Sequence, residues 1–299
     1  MRKVAFIGLG VMGQPMAANL AREGFAVQSF DLKGNGNCKS IREAARGAEA
    51  LVTMLPDGDA VREAVLEALP ALSRGCVVVD MSSSDPLGTR ALGAALAAKN
   101  VFLVDAPVSG AVVGARNATL AIMAGGEKAA FRKVLQVLQA MGKSIFHVGP
   151  LGAGHAVKAL NNYLGAAGTL AGFEALLIAR AFELDPKPML EAINASTGRN
   201  STTERKIARD VLTGAYASGF RLALMTKDVG IAAQLARGLG LETPFLKETL
   251  RMWREAQRRL PRDADHSEIY KYQKTLAASR RASAKPRRAP GKRAPRGRD

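Results

Sequence analysis

The feature that most constrains this chain is a glycine pattern near its start, Gly8-Leu9-Gly10-Val11-Met12-Gly13. It follows directly on an apolar run at residues 4–7 and leads into a segment where Met12, Met16 and Leu20 recur at four-residue spacing. A strand, a tight glycine turn and an amphipathic helix, in that order, form the phosphate cradle of a dinucleotide-binding βαβ unit. The first glycine permits the turn, the second lets a pyrophosphate reach the backbone, and the third lets helix and strand pack closely. The helix N-terminus then offers N–H groups and the positive end of its dipole to the phosphates. Asp31 closes the next apolar run, about 20 residues on, where a carboxylate can bond both hydroxyls of an adenosine ribose and repel a 2′-phosphate. These residues predict NAD as the cofactor, and Lys33 beside Asp31 keeps NADP possible. The plainer reading makes the glycines a turn and Asp31 a surface residue; the combined context favours the cofactor.

The first half repeats this alternation, with β-branched runs at 26–30, 50–54, 76–80 and 101–105 and further strands expected at 119–124 and 144–148. Strands alternating with helices predict a parallel sheet. From about Gly152 the apolar spacing becomes helical, and residues 154–184 contain no proline and are rich in alanine and leucine, enough for one helix of roughly 45 Å. The expected architecture is an α/β Rossmann-type doubly wound domain over 1–152, then an all-α domain over 153–278. A length of 299 residues fits two domains, and 47% hydrophobic residues suffice for large cores.

The net charge is +17, and residues 279–299 hold nine Lys plus Arg against one Asp, leaving +9 for the remainder. Without a large apolar residue, that tail reads as disordered and basic. It suits nonspecific polyanion contact, and with no aromatic residue to stack on a base it argues against sequence-specific nucleic-acid recognition. Two cysteines, Cys38 and Cys76, with no CxxC, and three histidines exclude a disulfide framework and the usual zinc spacings, so no metal is expected. A reducing, cytoplasmic setting fits best. The opening apolar run is too short for a signal sequence or a membrane span.

Four further segments, with the glycine motif extended through Gln14-Pro15-Met16-Ala17-Ala18-Asn19-Leu20, resemble the β-hydroxyacid dehydrogenase family, whose best-known member is 3-hydroxyisobutyrate dehydrogenase. They are Asp80-Met81-Ser82-Ser83-Ser84-Asp85-Pro86, Asp105-Ala106-Pro107-Val108-Ser109-Gly110, the segment from Gly152 through Lys158 to Asn162, and Lys227-Asp228. The resemblance covers roughly residues 1–277. It implies a second domain like that of 6-phosphogluconate dehydrogenase and a lysine-assisted hydride transfer between NAD(P) and a small 3-hydroxy acid or its semialdehyde. By the same resemblance, Lys158 is catalytic, Ser109, Gly110, Ala111 and Asn162 bind substrate, and Leu55, Pro56, Ser83 and Lys227 join the glycine loop and Asp31 in binding the cofactor. Two departures stand out: Ala111 and Ala118 occupy positions where the family usually has glycine, which bears on substrate identity more than on chemistry.

Lys158 taken alone reads as a surface lysine on a helix. Its setting, behind Gly152-x-Gly154 and ahead of two asparagines in an apolar segment, points instead to an acid/base whose pKa a partly desolvated cleft can lower. Asn162, four residues on, faces the same side, within reach of the lysine or the substrate. Ser109 and Gly110 follow a strand's carboxyl end, where ligands bind in open α/β sheets. His155, with no metal-spaced partner, reads as structural or rim-exposed, and Trp253 as a core or interface residue. The helical half is expected to supply a substrate lid and a homodimer or homotetramer interface, with Gly165, Gly168 and Gly172 permitting close helix approach. A reading from another class is a silent dinucleotide-binding module tethered to nucleic acid by its tail; retention of Lys158 and Asn162 speaks against it.

Overall fold

The computed structural model describes residues 1–283 of the chain. Its eight strands are β1 (Lys3–Ile7), β2 (Ala26–Phe30), β3 (Ala50–Thr53), β4 (Val77–Asp80), β5 (Phe102–Asp105), β6 (Val108–Ser109), β7 (Leu120–Gly125) and β8 (Gly142–Gly149). Between them run α1 (Gly13–Arg22), α2 (Ile41–Ala45), α3 (Gly58–Ala68), α4 (Pro86–Ala97), α5 (Ala111–Arg116) and α6 (Lys128–Gln139). One sheet, ordered β2-β1-β3-β4-β5-β7-β6 with β8 on β7, holds all of them.

The strands are hydrophobic on both faces because both faces are covered. Val4 and Phe6 of β1 join one core cluster while Ala5 and Ile7 join another; Val77 and Val79 of β4 part from Val78 in the same way. Period-two alternation between two apolar layers is what a doubly wound sheet requires. Met16 and Leu20 of α1 are fully buried against the sheet, as their spacing predicts. Aspartates start α3 and α4: Asp57 accepts from Ala60 N at 2.9 Å, and Asp85 from Gly88 N at 2.6 Å ahead of Pro86.

The expected parallel sheet is what most of the strands form, with one antiparallel turn-back that the alternation does not announce. The strands β2, β1, β3, β4 and β5 are parallel, but β7 runs antiparallel to β5 and β6 and only then pairs in parallel with β8. The two-residue β6 and the short α5 turn the chain back within 15 residues of Asp105, too few for a crossover helix of full length.

The second half consists of α7 (Ala153–Ala181), α8 (Pro186–Asn194), a π-helical segment (Thr202–Val211), α9 (Leu222–Gly238), α10 (Pro244–Arg259) and α11 (Ile269–Ser283). At 29 residues, α7 is about 43 Å long and forms the spine of this half. It is long and apolar enough to cross a membrane by composition, and 44% of its apolar 18-residue stretch is buried inside the protein. Trp253 and Phe173, both fully buried, centre the helical core. Gly168 and Gly172 do permit close approach, but to Asn200 and Thr202 of the same chain, while Gly165 faces open space. The last turn of α11 takes in residues 279–283, which the sequence assigns to a disordered tail; the rest of that basic segment, 284–299, lies outside the described residues.

Candidate active site

Strand order reverses between β1 and β3, and the glycine loop emerges at the carboxyl end of β1, the position where open α/β sheets bind ligands. Gly8 has φ +97°, and a Cβ there would collide with the Met54 carbonyl and Leu55; one on Gly13 would collide with the Gly8 carbonyl. Gly10 meets nothing within 4 Å. Two glycines are thus demanded by packing within the chain, and the middle one faces the space a pyrophosphate would enter. Val11 is 77% exposed there, and α1 begins with no side-chain cap and no acidic residue in its first turn. An uncapped helix start beside an exposed glycine fits a dinucleotide phosphate. Asp31 is held from both sides, accepting from Leu9 N at 2.7 Å and from Lys33 N at 2.8 Å. It ties the glycine loop to the end of β2, a bond the sequence does not announce.

The seam between the halves is a buried polar cluster. Asp80, at the end of β4, accepts from Thr53 Oγ1 at 2.9 Å, Ser82 N at 3.0 Å and Ser84 Oγ at 2.7 Å, fixing the loop that carries Ser83. Ser82 Oγ in turn accepts from Leu55 N at 2.9 Å, joining that loop to the one after β3. Asp105, at the end of β5, accepts from Gly152 N and His155 N, both at 2.8 Å, and so caps the first turn of α7. His155 is buried rather than at a rim: its Nδ1 lies 2.8 Å from Thr89 Oγ1 and its Nε2 3.5 Å from Asp80 Oδ2. The Thr89 hydroxyl also donates to the Asp85 carbonyl at 2.9 Å, tying this cluster to the start of α4. Burial raises the Asp105 carboxyl, against the lowering effect of His155 and the backbone donors. The Gly152-x-Gly154 spacing has a steric cause, since a Cβ on Gly154 would collide with the carbonyls of Met123 and Asp105. The helix is seated directly on strand backbone.

Two turns into α7, Lys158 is half-buried and Asn162 buried. Asn162 Nδ2 donates to Asp228 Oδ2 at 2.5 Å, and Asn161 Nδ2 donates to Asn162 Oδ1 at 3.1 Å. Asn162 therefore reaches the lysine through Asp228 rather than by itself. Burial lowers the Lys158 pKa, the Asp228 charge raises it and Lys227 lowers it. Asp228 is buried on α9, its Oδ1 has no hydrogen-bond partner, and burial raises its pKa against the pull of Lys227 and Lys158. Its neighbour Lys227 donates to the carbonyls of Pro56 at 2.8 Å and Ser83 at 3.0 Å, 171 and 144 residues away in sequence. Lys158, Asn162, Lys227, Ser83 and Pro56 thus converge, and Asp228, which the resemblance offers only as the partner of Lys227 over the cofactor, bonds Asn162 and acts on Lys158. Ser109 ends β6, Gly110 follows with φ +134° and Ala111 opens α5; among the described residues none of the three has a side-chain hydrogen bond to Lys158, Asn162 or Asp228. Ala111 has φ +54° and Ala118 φ +53°, so both keep the left-handed backbone that glycine adopts freely. No group of three or more His, Cys, Asp or Glu among the described residues could hold a metal.

A doubly wound domain with an uncapped glycine cradle, closed by a helical half that brings a half-buried lysine to the seam, defines a dinucleotide-dependent oxidoreductase. Residues 3–149 match the NAD binding domain of 6-phosphogluconate dehydrogenase, and residues 152–273 the domain described as NAD-binding of NADP-dependent 3-hydroxyisobutyrate dehydrogenase. The chain is 39% identical to 2-(hydroxymethyl)glutarate dehydrogenase of Eubacterium barkeri over 81% of its length and 85% of the relative. It is 34% identical to the NAD-dependent L-serine dehydrogenase of Pseudomonas aeruginosa, over 85% and 92% respectively. The solved structure of Mycobacterium tuberculosis 3-hydroxyisobutyrate dehydrogenase with L-serine superposes with a TM-score of 0.86 at 30% identity, covering 91% of this chain and 99% of that one. The chain belongs to the β-hydroxyacid dehydrogenase family and is an NAD(P)-dependent hydroxyacid oxidoreductase.

Proposed function

We propose that the enzyme interconverts a 2-substituted 3-hydroxypropanoate and its semialdehyde, with Lys158 as the general acid/base. Hydroxyisobutyrate, serine and 2-(hydroxymethyl)glutarate, named for its relatives, share one skeleton: a hydroxymethyl group on the carbon that bears the carboxylate. They differ in a methyl, an amino or a carboxyethyl substituent at that carbon. Residues 1–152 would bind the dinucleotide through Gly8, Leu9, Gly10, Val11, Met12, Gly13, Leu55, Pro56 and Ser83, and Asp31 would favour NAD over NADP. Residues 153–278 would close over it, Lys227 fixing the two loops through the Pro56 and Ser83 carbonyls.

A bound nicotinamide supplies the hydride acceptor in oxidation and the donor in reduction. In oxidation the neutral Lys158 amine would accept the hydroxyl proton of the hydroxymethyl group as its C–O single bond becomes a carbonyl. Reduction runs the same path backwards from the ammonium. Asn162 positions Asp228, and Asp228 sets the charge balance at Lys158. The hydroxyl and backbone N–H of Ser109 and the N–H groups of Gly110 and Ala111 suit the carboxylate. The observation that carries this reading is the lysine whose pKa burial lowers, beside a buried carboxylate and at the seam where the loops after β3 and β4 meet α9. Free Cys38 and buried Cys76, whose thiol burial pushes up to about 12, are consistent with a reducing cytoplasmic setting and give no rival nucleophile.

The test is NADH oxidation at 340 nm with a panel of semialdehydes varied at the C2 substituent, with Lys158→Ala alongside. Turnover on at least one member is expected, falling by about three orders of magnitude or more in the variant while dinucleotide affinity stays within about threefold, as for a group that acts in the transition state. Loss of affinity without loss of rate would remove Lys158 from this role.

A further inference from the structure

Between α9 and α10 lies a cavity of about 550 Å³ lined by Arg237, Lys247, Arg251, Arg254 and Arg258, with Glu242 the only carboxylate residue on its wall. Two of the five cations are matched locally: Lys247 pairs with Glu242, and Arg251 with Glu248 at 2.6 Å and Glu255 at 2.5 Å. Arg237, Arg254 and Arg258 have no ion-pair partner among the described residues. The four on α10, at 247, 251, 254 and 258, follow spacings of four, three and four and so share one face. Like charges at that spacing repel, and a concave wall of guanidinium groups concentrates positive potential where a counter-anion relieves it. Thr243 and Lys247 bring the start of the 16-residue α10 to one end of this wall, with no side-chain cap and no acidic residue in its first turn, and Arg258 lies at the other.

We infer that this groove is a binding site for a small oligophosphate, distinct from the cofactor cradle. Arginine forks engage phosphate oxygens in pairs, and three unmatched ones suit an anion with several phosphate groups better than a single carboxylate. A few hundred cubic ångströms is the size of a small-molecule site. The wall has Ala233, Leu241 and Leu250 as its apolar part and no aromatic ring, so nothing on it would stack a nucleobase. That favours the phosphate chain itself over a nucleic-acid strand. Arg254 also borders the cleft between the two halves, with Ser83 and Lys227, so the groove adjoins the candidate active site without sharing its lysine.

Inorganic triphosphate titrated calorimetrically into the full chain, with NAD held saturating to block the cofactor cradle, tests the inference. One site is expected, with affinity about tenfold or more weaker in an Arg237→Gln/Arg258→Gln variant and within about twofold of the original in an Arg132→Gln/Lys143→Gln control, which removes the same charge elsewhere. Matching thermal unfolding of both variants verifies that the fold is kept. Equal weakening in the two variants, or no saturable binding to the unmodified chain, would overturn the proposal. So would a single-stranded oligonucleotide that binds through the same arginines when triphosphate does not.

Discussion

Lys158 is held between opposing influences: burial disfavours its ammonium form, the Asp228 carboxylate favours it, and Lys227 opposes it again. The net direction is downward, which leaves more of the neutral amine available near neutral pH than an exposed lysine offers. Removing the single favourable charge should push it further the same way. In Asp228→Asn the amide can still accept from Asn162, while the charge that raises the lysine pKa is gone. If Lys158 is the acid/base as proposed, oxidation needs its free amine, so kcat/KM should fall on the acid side as it becomes protonated, and that limb should move to lower pH in the variant. Reduction needs the ammonium, and its alkaline limb should move down with it. Profiles of kcat/KM in both directions measure these free-enzyme values; a limb that stays fixed or moves up would detach Asp228 from the lysine. Lys158 and Asn162 stand out in the sequence through the motif they resemble and their four-residue spacing on one helix, and both do lie on α7. The partners of Asp105, His155 and Thr89 do not stand out, since contacts at separations of 47 to 66 residues leave no local pattern.

Strand and helix positions follow from local physics that a single sequence carries. Apolar runs on a sheet covered on both faces identify seven of the strands to within a residue or two, and a proline-free, alanine-rich stretch identifies α7. Strand direction is not carried locally, which is why the antiparallel β7 and the two-residue β6 are visible only in the fold. Backbone conformation at Ala111 and Ala118 is equally silent, because an alanine gives no hint of a positive φ. Both bracket α5, and both hold the conformation that costs an L-residue roughly 1–2 kcal/mol. Glycine at position 118 would relieve that cost and give back about 0.5–1 kcal/mol through its freer unfolded state. Ala118→Gly should therefore raise stability by up to about 1 kcal/mol, read from denaturant midpoints at unchanged slope. A clear loss would mean that the methyl packs usefully enough to outweigh the strain. Ala111→Gly relieves the same strain at the proposed carboxylate site, so its effect should also appear in KM.

Among the described residues, α7 leaves an apolar stripe on the surface that neither core covers. Viewed along α7, Val157, Leu160, Leu164, Ala171, Ala175, Ile178 and Phe182 fall within about a third of the circumference, a spread that follows from 3.6 residues per turn. Leu164, Ile178 and Phe182 are 68%, 71% and 77% exposed, and the alanines between them leave room for a second helix to approach. The stripe runs nearly the whole length of α7 with no charge inside it, in a chain whose net charge is +17. A large apolar patch on a charged protein is where an interface is expected, and the prediction is that α7 pairs through this stripe with its own copy about a two-fold axis. Lys158, the proposed acid/base, sits in the second turn of the same helix, so pairing along α7 would also stiffen the element that carries it. Leu164→Glu with Ile178→Glu puts like charges into that seam without touching either core. Light scattering at micromolar concentration should then give half the mass of the unmodified protein, with far-UV dichroism unchanged and semialdehyde turnover reduced. An unmodified chain that is already monomeric, or a variant that stays assembled, would move the interface elsewhere and leave the stripe on α7 to be covered by something other than a second copy.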